Sequence, residues 1–137
     1  MFDEIKKYKN NGHFFFQKGD KLMEVSKDVP DLPGVYYILR LSKGKIDLVY
    51  IGKSGIITQS GVFEDQLLQG RINNKSNRIK RQVYFEQKIL EDKIDGLDIY
   101  WYVTMDKNND LPGYVEGLLM QRYFDLHGKL PPWNKCF

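Results

Sequence analysis

Two alternating segments that meet at a glycine-containing break constrain the fold of this chain more than any other feature. Residues 35–41 (VYYILRL) place successive side chains on opposite faces of an extended strand. The pattern breaks at Ser42-Lys43-Gly44 and resumes over residues 45–52. A three-residue loop with Gly44 in the left-handed conformation is a common way to join two such strands. The pattern therefore predicts an antiparallel hairpin.

The predicted hairpin brings two tyrosines together, in a way that depends on its loop. With a three-residue loop, Leu41 pairs with Lys45 and Tyr36 lies directly opposite Tyr50, roughly 5 Å away at Cβ. A two-residue loop would shift the register by one residue and place the two tyrosines on opposite faces. Because the chain has nine tyrosines, plain packing is an alternative to a functional pair.

The rest of the chain is predicted to supply a third strand and three helices. Residues 63–73 and 78–94 are expected to be helical, and residues 98–105 (DIYWYVTM) form a β-rich strand. A last helix covers residues 112–126, between a proline that favours a helix start and a glycine that favours an end. This order predicts an α+β domain, a small three-stranded antiparallel sheet flanked by helices. The apolar stripes expected on the two longer helices are Ile79, Val83, Leu90 and Ile94, and Val115, Leu119, Arg122 and Leu126.

The length of 137 residues is most simply one domain that carries an N-terminal extension. The domain is expected over residues 32–137. Residues 1–31 are polar and lysine-rich, and form either a partly ordered arm or an early strand and helix. No apolar run reaches the roughly 18 residues of a membrane span, and the N-terminus lacks the apolar segment of a secretory signal. The lone Cys136 has no partner for an internal disulfide, so a cytoplasmic protein is expected.

Positive charge is concentrated in one segment, although the net charge is only +3. Residues 71–88 carry basic side chains throughout and a single acid, Glu86. Such a segment is either a solvated helix face or a surface that neutralises several phosphates of a nucleic acid. The candidate phosphate contacts are Lys75, Arg78, Lys80 and Arg81.

Glu116 is the candidate metal ligand. On the predicted last helix it lies at the border of the apolar stripe, where a charge is costly unless it is paired or bound to a metal. The alternative is a tilted helix in which the carboxylate reaches solvent or pairs with Arg122. A single carboxylate suits Mg²⁺, which keeps most of its waters and takes further ligands from a substrate phosphate.

Two further polar residues are candidates by position. Lys53 follows Gly52 at the end of a predicted strand and could place a positive charge next to a phenolate or a phosphate. The amide of Asn134, after Pro131-Pro132, could hydrogen-bond a neighbouring tyrosine or a phosphate. Plain surface exposure is the alternative for both residues.

Taken in order, these residues resemble the GIY-YIG nuclease family, which includes homing endonucleases, some restriction enzymes and an excision-repair nuclease domain. Gly34-Val35-Tyr36 resembles the first motif with Val in place of Ile, and Tyr50-Ile51-Gly52-Lys53-Ser54 resembles the second. Arg71 resembles the family arginine, Glu116 its metal-binding glutamate and Asn134 its C-terminal asparagine. The resemblance covers about residues 32 to 135.

The resemblance implies phosphodiester hydrolysis with one Mg²⁺ or Mn²⁺ held by Glu116. It implies that Tyr36 acts as general base on the attacking water, assisted by the charge of Lys53. It implies that Arg71 binds the phosphate in the transition state. Tyr50 and Asn134 would then position water and substrate.

Two departures from the family pattern leave alternatives open. The stretch between Gly52 and Arg71 is long, so Arg78 is a rival for the family arginine. Lys75 stands where the family usually has Tyr or His. The leading hypothesis is a metal-dependent DNA endonuclease acting on double-stranded DNA, with no membrane partner and with its oligomeric state open. The alternatives are a catalytically inactive GIY-YIG-like module that binds nucleic acid, and a structural domain whose aromatic residues form its core.

Overall fold

The computed structural model describes residues 2–64, 66–76 and 79–137, and the side chains of Lys75 and Ser76 are excluded. The roles predicted for Arg78 and for the Lys75 side chain therefore lie outside the described residues. After a short 3₁₀ turn at Asp3–Ile5, the elements in chain order are β1 (Asn11–Phe16), α1 (Leu22–Val25), β2 (Gly34–Ser42), β3 (Lys45–Lys53), β4 (Ile56–Ile57), β5 (Phe63–Glu64), α2 (Leu68–Asn73), β6 (Lys75–Ser76), β7 (Ile79–Lys80), α3 (Arg81–Glu91), β8 (Gly96–Val103) and α4 (Pro112–His127).

The predicted α+β class is confirmed, but the main sheet has four strands instead of three. Its strands are all antiparallel and lie in the order β1-β8-β2-β3. One face packs against α4 through Val35, Ile51 and Val115, and the other packs against α2 and α3 through residues such as Leu68 and Phe85. The sheet is thus covered by helices on both faces.

The hairpin of β2 and β3 differs from the predicted register in two ways, which together leave the side chains on their predicted faces. Its loop has only two residues, Lys43 and Gly44, both with positive φ (+52° and +74°), the geometry of a type I′ turn. Further along, Val49 is an extra residue in β3, because Leu39 pairs with Leu48 whereas Ile38 pairs with Tyr50. This bulge shifts the register by one more residue in the same direction, so the pairing ends two residues from the predicted one and the side chains return to the predicted faces.

Because of the bulge, the two tyrosines share one face of the hairpin. Tyr36 lies directly opposite Gly52, and Tyr50 lies opposite Ile38, so the tyrosines are diagonal neighbours. The predicted direct pairing of Tyr36 with Tyr50 is wrong. The predicted proximity is correct, since their ring centroids are 5.9 Å apart.

The first 31 residues, predicted as an extension of uncertain structure, contribute to both cores. Phe2, Ile5 and Tyr8 are buried in the cluster formed with α4. Phe16 and Leu22 are buried in the cluster on the opposite face. Between these two groups, β1 pairs with β8 along its whole length. The segment therefore packs as part of the same fold.

The helices predicted over residues 63–73 and 78–94 are both shorter than expected, and the buried face of the second differs from its predicted stripe. The helix expected over residues 63–73 begins at Leu68, and the one expected from residue 78 begins at Arg81. On α3 the buried residues are Arg81, Phe85 and Ile89, whereas the predicted stripe residues Val83 and Leu90 are exposed.

The last helix follows its prediction at both ends but not along its stripe. It begins at Pro112, and Gly128 after its last residue has the left-handed conformation, with φ +66°. Arg122 and Leu126 are exposed, whereas the buried residues are Pro112, Val115, Leu119, Met120 and Tyr123. Along the described residues, no helix combines the length and apolar character that crossing a membrane requires.

Replacing Phe16 by alanine should lower the free energy of unfolding by about 3–5 kcal/mol, because its ring is fully buried and leaves a cavity. The neighbouring Phe15→Ala is the matched control, since Phe15 is 49% exposed, and it should cost less than about 1 kcal/mol. Urea titration followed by circular dichroism measures both values. Equal, small losses would mean that β1 is not part of the folded core.

Candidate active site

The two tyrosines of the hairpin meet above a glycine. Tyr36 is only 1% exposed and crosses over Gly52, its partner on β3. A Cβ atom at Gly52 would lie 2.7 Å from Cζ and 2.8 Å from Oη of Tyr36, and 2.8 Å from Cε2 of Tyr50. Any side chain at Gly52 would therefore displace one of the two rings. This close contact explains why a glycine follows Tyr50-Ile51.

The first motif has a glycine for a similar reason. A Cβ atom at Gly34 would lie 2.1 Å from the backbone oxygen of Tyr102 on β8 and 2.8 Å from Leu68 on α2. The buried Ser54 then ties Gly34 to the end of β3: its Oγ accepts a hydrogen bond from the Gly34 amide (2.7 Å) and donates one to the Gly34 carbonyl (3.2 Å). Ser54 thus links the two motifs, a role that the sequence analysis missed.

Arg81, the first residue of α3, has surroundings that the sequence analysis did not anticipate, and its predicted contact with a nucleic-acid phosphate stays a prediction. It was expected on an exposed basic face, but it is only 6% exposed. Its Nη2 donates a hydrogen bond to the hydroxyl of Tyr36 (3.0 Å), and its guanidinium lies 5.1 Å from the ring centroid of Tyr50. Within the described part of the chain, the buried Nε of Arg81 has no hydrogen-bond partner. In a basic run such as residues 71–88, no sequence signal distinguishes it from its neighbours.

The hydroxyl of Tyr36 is neutral at pH 7 in the free protein. Burial raises the pKa of Tyr36 well above its usual range, although the positive charge of Arg81 acts in the opposite direction. The cation that contacts Tyr36 is thus Arg81. Lys53, which was expected to favour the phenolate, lies instead along α4: its Cδ is 4.0 Å from the position of a Cβ atom on Gly113.

Glu116 is half-buried on α4 near two cations. Burial raises the pKa of its carboxyl group, and the charges of Lys53 and Arg71 oppose that shift. The alternative pairing with Arg122 is wrong, because Arg122 lies on the surface and donates a hydrogen bond to Glu4 (2.8 Å). Among the described residues, no hydrogen bond or ion pair engages the Glu116 carboxylate.

Arg71 on α2 connects the tyrosines electrostatically to Glu116. Its charge lowers the pKa of both Tyr36 and Glu116, so it lies within electrostatic reach of both groups. Its buried Nε has no hydrogen-bond partner in the described structure. Two arginine Nε groups, those of Arg71 and Arg81, are thus buried and unsatisfied near the tyrosine pair. An anionic oxygen is one ligand that can satisfy buried donors of this kind.

Asn134 holds the edge of the sheet at the strand that carries Tyr50. Its side-chain amide accepts a hydrogen bond from the backbone N–H of Ile51 (3.0 Å) and donates one to the backbone carbonyl of the same residue (2.9 Å). Next to it, the N–H of Trp133 donates to the carbonyl of the bulge residue Val49 (2.8 Å). The C-terminal tail therefore supports β3 beside the site. Contact of Asn134 with water or substrate stays a prediction.

The residues present fit a metal that takes few ligands from protein. Within residues 2–64, 66–76 and 79–137, no three His, Cys, Asp or Glu side chains are grouped so that they could hold an ion. Glu116 offers a carboxylate without a described hydrogen-bond partner in a partly desolvated position. That arrangement suits Mg²⁺ or Mn²⁺, whose remaining ligands would be water and a substrate phosphate.

Comparison with known proteins does not assign the chain to a family. No protein-family model matches it, and no solved structure matches it. Class 3 fructose-1,6-bisphosphatases of Clostridium botulinum, from strains Hall, Okra and Kyoto, are 27% identical to it over 74 residues. The match covers 54% of this chain and 11% of each relative. The chain thus resembles a short stretch of much longer proteins.

Replacing Gly52 by alanine should lower the free energy of unfolding by about 1–3 kcal/mol, because the methyl group forces Tyr36 or Tyr50 out of place. Gly96→Ala is the matched control on β8 of the same sheet, where a Cβ atom would meet only ordinary contacts at 3.6 Å. That control should leave stability unchanged or raise it. Urea denaturation measures both variants. Equal stability of the two would contradict the close packing of the tyrosines over Gly52.

At pH 7, the free energy of unfolding of the Glu116→Gln variant should equal or exceed that of the unmodified protein. The folded-state pKa of Glu116 is raised above its unfolded value, so the ionised carboxylate disfavours folding above both values. The difference between the two proteins should shrink as the pH falls toward 4, where the carboxyl binds its proton. Urea titrations at pH 4, 5.5 and 7 measure it. A variant that is less stable at pH 7 would indicate a stabilising partner for Glu116.

Proposed function

We propose that this protein is a divalent-metal-dependent endonuclease that hydrolyses phosphodiester bonds in DNA, with a site of the GIY-YIG kind. The observation that carries the proposal is a half-buried carboxylate near two cations, one of which, Arg71, also lies within electrostatic reach of the buried Tyr36. Glu116 carries the negative charge, and Lys53 and Arg71 oppose its raised pKa. Such an arrangement costs stability in the free protein, and active sites commonly hold unsatisfied groups of this type.

Each residue of the site has a separate task in this proposal. Glu116 holds Mg²⁺ or Mn²⁺, which when bound neutralises charge on the scissile phosphate and stabilises the leaving oxygen. Arg71 donates hydrogen bonds to the phosphate as its charge increases in the transition state. Arg81 stabilises the phenolate form of Tyr36, and this phenolate takes a proton from the attacking water and becomes a neutral hydroxyl.

The remaining predicted residues bind or orient the substrate. Tyr50 packs beside Tyr36, with the two rings tilted by 35°, and limits the positions open to water. The exposed Lys80 on β7, next to Arg81, neutralises a DNA phosphate without reading sequence. Asn134 keeps the strand of Tyr50 in position. The protein is proposed to act on double-stranded DNA in the cytoplasm, where a reducing environment suits the exposed thiol of Cys136.

One observation favours the second candidate, a catalytically inactive module of the same fold that binds nucleic acid. The side chain of Tyr36 is almost fully buried in the free protein, and its pKa is raised. A residue in that state is a poor base until the substrate or the metal changes its surroundings. Cleavage measurements separate the two candidates.

Glu116→Gln should abolish cleavage of supercoiled plasmid DNA that the unmodified protein performs with Mg²⁺, lowering the rate by at least about 10²-fold. Glu86→Gln, an exposed acid on α3, is the matched control and should cleave normally. Addition of EDTA should stop both active proteins. Cleavage by Glu116→Gln at the normal rate would exclude Glu116 as the metal ligand. DNA binding without cleavage by the unmodified protein would establish the inactive module instead.

The single-turnover cleavage rate should rise with pH between 7 and 9, by up to about tenfold per unit. A base whose pKa lies above this range gains its reactive form as the pH rises, and burial raises the pKa of Tyr36. Tyr36→Phe should cleave slowly and lose most of this pH dependence. Saturating enzyme separates the chemical step from binding. An unchanged slope in Tyr36→Phe would assign the proton transfer to another group.

A further inference from the structure

A cleft opens directly beside the candidate active site, between the short β4–β5 ladder and the start of α4. The cleft has a volume of about 270 Å³ and shares Lys53 with the site. Apart from Lys53, the side chains that matter here are apolar: Ile56, Ile57, Phe63, Leu111 and Tyr114.

Large apolar side chains are unusually exposed around this cleft. Ile56, Ile57, Leu111 and Tyr114 are each between 39% and 57% exposed. Exposed apolar side chains that converge on one concave surface commonly mark a binding site. Because Lys53 belongs both to the cleft and to the candidate active site, we expect the substrate of that site to occupy the cleft.

The cleft has a charged end and an apolar end. Among its described lining residues, Lys53 is the only one with a charged side chain. The helix α4 also begins here, and it has no side-chain cap at Leu111, which leaves its first backbone N–H groups open to an anion. A ligand that fits both ends has an anionic group joined to a flat apolar group, which is the chemistry of a nucleotide.

We propose that this cleft binds one nucleobase of the substrate strand, next to the phosphate that lies at Lys53; this inference rests on the proposed function. The base packs against Tyr114 and the aliphatic side chains of Ile56 and Ile57. Stacking on an aromatic ring is tolerant of base identity. A base in a duplex must leave its stack to enter, so the protein prefers DNA in which a base near the cut is unpaired or mismatched.

The test is a titration of the full ¹⁵N-labelled chain, without metal, with deoxyadenosine monophosphate and separately with inorganic phosphate. Phosphate should shift backbone amide signals near Lys53 and the start of α4. The nucleotide should also shift those of Ile56, Ile57 and Phe63. Identical shifts with both probes, or nucleotide shifts confined to another part of the chain, would overturn the proposal. So would concentration-dependent shifts of the cleft without any nucleotide, which would indicate a second copy of the chain as the occupant.

A double variant, Ile56→Ser with Ile57→Ser, tests the apolar end. It should weaken nucleotide binding by at least about fivefold and change phosphate binding by less than about twofold. Ile46→Ser, at an exposed position on β3 away from the cleft, is the matched control and should bind both probes normally. Equal nucleotide affinities of the double variant and the control would contradict the proposal.

The cleavage assay keeps this inference distinct from the proposed function. Nucleotide binding in the cleft by a protein that does not cut DNA would leave the base site in place and remove the nuclease. Cleavage of DNA by a protein whose cleft does not respond to the nucleotide would support the nuclease and exclude the base site. If the base site exists in an active nuclease, a plasmid-sized duplex should be cut more slowly than the same sequence with one unpaired base.

Discussion

The extra residue Val49 in β3 decides which side chains face which side of the sheet. Without this bulge, the two-residue turn at Lys43-Gly44 would place Tyr50 on the face of α4, away from Tyr36. With it, Leu48 and Ile51 both face α4, and Tyr50 joins Tyr36 on the other side. The bulge is held by the C-terminal tail, because Trp133 donates a hydrogen bond to the Val49 carbonyl. The tail thereby supports the geometry of the tyrosine pair.

The candidate site draws groups of unlike chemistry from the sheet and from three helices. The tyrosines come from the hairpin, Arg71 from α2, Arg81 from α3 and Glu116 from α4. Only one described hydrogen bond, from Arg81 to Tyr36, joins two of these side chains. The other polar groups are partly desolvated without matching partners, so the site is less stable than an apolar junction would be. That cost is understandable if a charged ligand completes it.

Local patterns were sufficient to predict the hairpin, the last helix with its Gly128 cap and the α+β class. They failed wherever a distant segment decides the outcome. The bulge residue Val49 accepts a hydrogen bond from Trp133, and no pattern in residues 45–53 predicts the bulge. Strand β1 is recognisable only once β8 is present, because NGHFFF alternates poorly. Arg81 occupies a buried helix position that a stripe of apolar residues cannot reveal, since its burial depends on Tyr36.

The pairing of β1 with β8 has a consequence for synthesis of the chain. Asn11 pairs with Tyr102 and Phe16 with Leu97, so β1 has no strand partner until β8 has been synthesised. Until then Phe14, Phe15 and Phe16 form an uncharged aromatic segment of the kind that associates with other chains. Closing a loop of that length also slows folding. The aromatic segment of β1 therefore stays without its strand partner while the residues between β1 and β8 are synthesised.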